Sequence, residues 1–248
     1  ADAGARRAGA SLFDGLPAAR SHALFTDWTS APRDAFRRCA EAGHTAAKLK
    51  VGRDPVREPD ALNALAGLPL RWRLDFNAAL GGADEAGEFL ARLDPCIRAN
   101  IEFLEDPCPY DPREWGQLAE REKIPLALDW QIPPTPPPWP GARILVIKPA
   151  YQNALPLALS AARAGMEIVV THSMDHPLGR AAALWTAMRL NQRHGDLVRD
   201  GGLQGEGLYR ADEFRGQFAE AGPDIVPPSG AGFGFDEVLL ALPWRRLC

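Results

Sequence analysis

Short apolar runs that end on, or carry near their end, a charged side chain recur along this chain and constrain its fold more than any other feature. The run 70–76 carries Asp75, 101–105 ends on Glu105, 126–129 on Asp129 and 144–148 on Lys148. Runs at 22–26, 46–52 and 167–171, with 197–199 as an eighth, complete the series. Helix-like segments fall between them. Residues 31–42 have Pro32 at the start, Phe36, Cys39 and Ala40 on one face and Gly43 as the stop. Residues 55–66 follow, then 84–93 with Ala86, Phe89, Leu90 and Leu93 as an apolar stripe. Asp111, Pro112 and Glu114 read as N-cap, first helical residue and capping-box acid of a helix to 122. Segments 153–164 and 178–192 are the last two helices. Strands and helices alternating at roughly 20 to 30 residues call for right-handed crossovers and a parallel sheet. Eight such units in 248 residues favour a closed TIM-like barrel over an open sheet. One unit departs from the rule. Residues 130–141 are too proline-rich for a helix, yet extended polyproline at about 3 Å per residue still spans a crossover.

The second run contains Lys48-Leu49-Lys50. In a strand, residues two apart share a face, so both ammonium groups point the same way. At roughly 6 Å and an effective dielectric of about 20, two like charges repel by about 3 kcal/mol, which favours a neutral lysine at one position. By itself the stretch reads more readily as an edge strand with a solvated lysine face. Because barrel chemistry gathers at the C-terminal ends of strands, the residues that share those ends become informative: Lys48 and Lys50, Asp75, Glu105, Asp129 and Lys148. Three acids on three successive strands converge on one point. Hard oxygen ligands with no nearby cysteine suit Mg²⁺, with Mn²⁺ as the alternative ion.

The net charge of -4 and the lack of a basic stripe argue against nucleic acid. No apolar run is long enough to span a bilayer and residues 1–10 lack the apolar centre of a signal peptide, so a cytoplasmic protein with no membrane partner is expected. Cys39, Cys96, Cys108 and Cys248 are scattered and read as reduced thiols.

The stretches Ala47-Lys48-Leu49-Lys50-Val51-Gly52, Arg73-Leu74-Asp75-Phe76-Asn77, Phe103-Leu104-Glu105-Asp106-Pro107-Cys108, Leu128-Asp129 and Val146-Ile147-Lys148-Pro149 resemble the enolase superfamily, most closely its o-succinylbenzoate synthase branch. The likeness runs from about Ser21 to the end and takes in Gly232-Phe233-Gly234-Phe235-Asp236 as the closing segment. It implies an α/β fold, a (β/α)8-type barrel in modified (β/α)7β form, with residues 1–20 as an N-terminal remnant or linker and 21–248 as the barrel domain. It implies Asp75, Glu105 and Asp129 as Mg²⁺ ligands, Lys50 as base, Lys48 as its support and Lys148 across the substrate. The activity implied is dehydration of a cyclohexadiene carboxylate to o-succinylbenzoate. Racemisation or epimerisation of an N-acylamino acid or dipeptide, or cycloisomerisation, remains open beside it, as does a non-catalytic barrel subunit. The partner expected is a small-molecule carboxylate.

Other residues carry two readings each. Arg73 is an ion-pair partner or a substrate contact, and Asn77 a loop turn or a supporting contact. Ser173, with Gly202 as a backbone donor, is the expected substrate-carboxylate site. His172, Asp175 and His176 could hold a metal, but Asp175 can simply cap the following helix. Trp130 and Trp139 cover the site or pack the proline loop; Asp106 supports the site or makes a turn. Trp130 also departs from the family, which commonly has an acid there. Members of the family usually carry a capping domain ahead of the barrel, and this sequence begins near the first barrel strand.

Overall fold

The computed structural model describes residues 1–205, 213–214 and 216–244, so Cys248 and the last residues of the expected barrel domain lie outside it. Seven parallel strands form one sheet in chain order. They are β1 (Ala23–Phe25), β2 (Ala46–Lys50), β3 (Arg71–Asp75), β4 (Ile101–Glu105), β5 (Leu126–Leu128), β6 (Ala142–Ile147) and β7 (Glu167–Val170). The helices are α1 (Asp2–Arg7), α2 (Arg33–Glu41), α3 (Glu58–Asn63), α4 (Ala83–Ala91), α5 (Pro95–Arg98), α6 (Pro112–Glu122), α7 (Ala154–Arg163), α8 (Pro177–His194) and α9 (Asp236–Ala241). The alternation in the sequence thus yields the expected α/β, TIM-like barrel.

Closure differs from the expected eighth strand at 197–199. Residues 195–197 turn as a 3-10 helix, and the gap between β7 and β1 is bridged by single parallel pairings: Val198 with Ile168, Gly202 with Thr171, and Gly201 with Ser21. The reason is a close approach. A Cβ on Gly201 would lie 2.3 Å from the Val170 carbonyl oxygen, and one on Gly202 2.4 Å from Thr171 Oγ1, so this segment passes only as bare backbone.

Strand periodicity sorts the side chains. Leu49, Leu74, Leu104, Leu128, Leu145, Ile147, Ile168 and Val170 face outward into the main core beneath the helices. Phe103, Ala127, Ile144, Val146 and Val169 form a separate cluster inside the barrel. Each fully buried side chain of this size adds about 1.5–3 kcal/mol. The same phase that sends Leu49 outward sends Lys48 and Lys50 inward.

Two local expectations change. Asp111 caps α6, accepting from the amides of Arg113 and Glu114, both at 2.9 Å, but Glu114 does not close a capping box; its Oε2 accepts from Ala83 N at the start of α4, 3.3 Å away. His176 rather than Asp175 caps α8, its Nδ1 accepting from Leu178 N at 3.2 Å.

Residues 130–141 contain no helix, as their prolines require. Trp139 is buried in this strap, its indole donating to the Thr135 carbonyl, whereas Trp130 is 73% exposed. The N-terminal stretch docks on the closing segment: Arg6 bonds Asp236 and the Gly234 carbonyl, Asp2 accepts from Phe233 N, and Leu12 N donates to Gly232. A hairpin of β8 (Ala219–Ala221) and β9 (Asp224–Val226) was not foreseen. Among the described residues no helix is long and apolar enough to cross a membrane, and Cys39, Cys96 and Cys108 are free thiols.

Candidate active site

The C-terminal ends of β2 to β6 bring the expected charges together. Asp75 and Glu105 are register partners on β3 and β4, and Lys50 pairs with Asp75 across β2 and β3. Lys48 is buried and donates to Glu105 Oε1 at 2.5 Å, with its Nζ 2.8 Å from Asp75 Oδ2. Lys50, 20% exposed, donates to the same Asp75 oxygen and faces Asn77 Oδ1 at 3.4 Å. Lys148, 19% exposed, donates to Asp129 Oδ2. Asp129 Oδ1 is buried with no partner among the described residues.

The electrostatics follow from this crowding. Burial opposes the charge on Lys48, but Asp75, Glu105 and Asp129 outweigh it and hold the ammonium well above the usual lysine range. The sequence expectation that lysine–lysine repulsion frees one proton therefore does not apply to Lys48. Burial also favours neutral Asp75, yet Lys48 and Lys50 hold it well below the usual carboxylate range. Burial and the Asp75 charge push Glu105 up to about 8. Asp106 reaches about 6, mainly by burial and the charge of Asp129, although its oxygens accept from Asp129 N at 3.1 Å and Trp130 N at 2.9 Å. Asp106 thus fixes the backbone that presents Asp129.

The donor set fits a hard divalent cation in chemistry: three carboxylates on adjacent strands, one buried oxygen without a partner among the described residues, and one carboxyl pushed toward neutrality by burial and the Asp75 charge. The side chains are drawn toward the lysines, and among the described residues no three His, Cys, Asp or Glu side chains form a ready metal cluster.

Lys48, Lys50 and Lys148 open onto a cavity of about 220 Å³. Its other walls are Ser21, His22, Leu24, Trp130, Tyr151, Thr171 to Met174, Gly202 and Gln204. Ser173 lines it as expected, and its buried Oγ has no partner among the described residues. Gly202 also lines it, but its amide donates to the Val170 carbonyl at 3.0 Å, so it is not the free backbone donor expected. Asn77 takes a left-handed turn, φ 49°, and so fills both of its readings. Arg73 does not reach the cavity; it is 1% exposed and bonds Glu102 and the Asp200 carbonyl. His172 bonds the Gln204 carbonyl and Met174 N, and Asp175 accepts from Ser173 N, so these groups support the loop. The sequence reading missed His22, Tyr151 and Gln204. For His22 a signal existed: His22 and Leu24 share the inward phase of the first run.

A family model described as Enolase C-terminal domain-like matches residues 31–132. The chain is 32% identical over 251 residues to an o-succinylbenzoate synthase of Bdellovibrio bacteriovorus, covering 99% of this chain and 74% of that protein. An o-succinylbenzoate synthase of Yersinia pestis is 34% identical over 151 residues, 55% of this chain and 45% of the relative, so that match spans under half of the relative's length. In three dimensions the chain resembles the L-Ala-D/L-Glu epimerase from Bacillus subtilis, with TM-score 0.74, 17% identity and coverage of 94% of this chain and 68% of that one. It also resembles a dipeptide epimerase from Cytophaga hutchinsonii, complexed with Mg and the dipeptide D-Ala-L-Val, with TM-score 0.74, 19% identity and coverage of 94% and 66%. A barrel with acids and lysines at its strand ends and these relatives belongs to the enolase superfamily. Within it, the chain is an enzyme of the lyase kind, similar to o-succinylbenzoate synthase.

Proposed function

We propose that this chain dehydrates 2-succinyl-6-hydroxy-2,4-cyclohexadiene-1-carboxylate to o-succinylbenzoate, a cytoplasmic step toward menaquinone or phylloquinone, with Mg²⁺ held by Asp75, Glu105 and Asp129. The observation that carries this reading is the placement of Lys50 and Lys148 on one cavity from β2 and β6, opposite positions in the barrel order. Bound there, the cation would stabilise negative charge on the substrate carboxylate and offset the acid field around the lysines. Lys50 takes the proton from the carbon next to the carboxylate and returns it to the departing hydroxyl, so water leaves as the ring becomes aromatic. Lys48, held charged between Asp75 and Glu105, fixes the acids and adds positive charge behind Lys50. Lys148 stays charged and stabilises the intermediate from the other side of the ring. Ser173 Oγ, without a partner among the described residues, is the donor offered to a substrate oxygen.

The same pair of lysines on opposite walls favours a second reading, epimerisation at an α-carbon by two bases. The deciding experiment follows loss of the cyclohexadiene absorbance with Mg²⁺, against an EDTA control and Lys50→Ala. Turnover requiring both metal and Lys50 supports the synthase. No turnover, with solvent deuterium entering the α-carbon of an N-acylamino acid or dipeptide, supports the epimerase.

A further inference from the structure

One imidazole on the cavity wall has no part in the chemistry above. His22 precedes β1, shares its inward phase with Leu24, and lines the cavity while only 3% exposed. Gly202 packs beside the ring; a Cβ there would come within 3.3 Å of His22 Cε1. On its hidden side, His22 Nδ1 lies 2.8 Å from Arg73 Nη1. A guanidinium has donors and no acceptor, so Nδ1 accepts and the ring hydrogen sits on Nε2.

Arg73 is not free to turn away. Its Nε donates to Glu102 Oε2 at 2.9 Å, its Nη1 also donates to the Asp200 carbonyl at 2.5 Å, and the guanidinium lies 5.0 Å from the centre of the Phe103 ring. A hydrogen on Nδ1 would set two donors against each other. With Nδ1 turned to Arg73, Nε2 is the ring nitrogen on the other side, and the ring lines the cavity.

We propose that His22 is a substrate-binding residue, a neutral imidazole whose Nε2–H donates to a carboxylate or carbonyl oxygen of the substrate, with Arg73 as the positioning residue that fixes the tautomer. This rests on the reading of the cavity as the site of an anionic carboxylate. A fixed neutral donor adds affinity without exchanging protons with Lys50. Burial, followed by the charges of Arg73 and Lys48 and a smaller push from His44, disfavours a second proton, and only the Asp200 carbonyl works the other way.

The test is direct observation of the ring. In ¹⁵N-imidazole spectra of the full chain with Mg²⁺, His22 should show a bare Nδ1 and a protonated Nε2 from about pH 5.5 to 8, with Nε2–H shifting on addition of o-succinylbenzoate. His22→Leu should raise KM about 10- to 100-fold with a smaller change in kcat, and His22→Gln, which restores an N–H donor, should recover most of the loss. An Nδ1-protonated ring, an imidazolium in that pH range, or a His22→Leu enzyme with wild-type KM overturns the proposal. If His22→Leu does not fold, the wild-type spectra decide. Absence of turnover by the wild type would instead count against the synthase reading, and leaves the tautomer readable.

Discussion

The two ends of the barrel hold charges of both signs, arranged to opposite effect. At the N-terminal ends of the strands, Glu102 accepts from Arg73 at 2.9 Å and from Arg199 at 2.7 Å with Arg71 at 3.7 Å, while Glu167 pairs with Arg199 and Arg143. Burial works against the Glu102 carboxylate, but these arginines hold it below its usual range. At the C-terminal ends, Glu105 is pushed up to about 8, and among the described residues Asp129 Oδ1 and Ser173 Oγ lack partners. Arginines engage both carboxylates at one end of the barrel; at the other, despite its ion pairs, buried oxygens are left for a cation and an anion. The difference locates function better than the mere presence of buried charge.

That contrast can be broken or sharpened by substitution at each end. Lys50→Ala should lower kcat/KM by about 10⁴-fold while leaving the urea midpoint close to wild type, measured by substrate depletion and by denaturation. Glu102→Gln should do the reverse, costing about 3–5 kcal/mol of stability by leaving Arg73 and Arg199 partly unpaired. A catalytically dead but stable Glu102→Gln would collapse the distinction between the ends.

The third prediction concerns pH. An unfolded glutamate loses its proton near its ordinary value of 4.5, while native Glu105 keeps its own to about 8. Between these values the native state binds the extra proton, so the Glu105 contribution to stability declines as pH rises through this window. Saturating Mg²⁺ should flatten that slope and add about 2.7 kcal/mol at a hundredfold excess over Kd. Urea titrations against pH, with and without Mg²⁺ and with Glu105→Gln as reference, measure it; an identical slope with and without metal would count against these acids as ligands. The smallest effect is expected for Asp106→Asn, about 1 kcal/mol of stability with about tenfold weaker Mg²⁺ binding, read by calorimetry.

Much of the site was legible because strands make a period-two statement about side chains. Once 101–105 is extended, Glu105 must face with Phe103, and the same rule places Asp75, Lys148 and the lysine pair. Residues whose neighbours are set by tertiary approach were less accessible. The 198–202 closure depends on how near Val170 and Thr171 come to Gly201 and Gly202. Arg73 has the inward phase expected of it, yet Glu102 draws it down from the cavity. The shift in register after Trp72 skips Glu102 in the pairing of β3 with β4, which a strand pattern does not encode. His176 displaced Asp175 as the cap because cap choice is decided by backbone angles at single residues.

The clasp between the N-terminal helix and the closing segment joins positions 228 to 231 residues apart. Bringing together the ends of so long a flexible loop would cost about 5 kcal/mol by the logarithmic law alone. The assembled barrel removes most of that cost by delivering both ends to one place. The clasp should therefore form after the barrel and open before it, with φ-values near zero for Arg6 and faster amide exchange at Phe233 than at Leu74 or Leu104. In kinetic terms it is a latch that records the completion of folding.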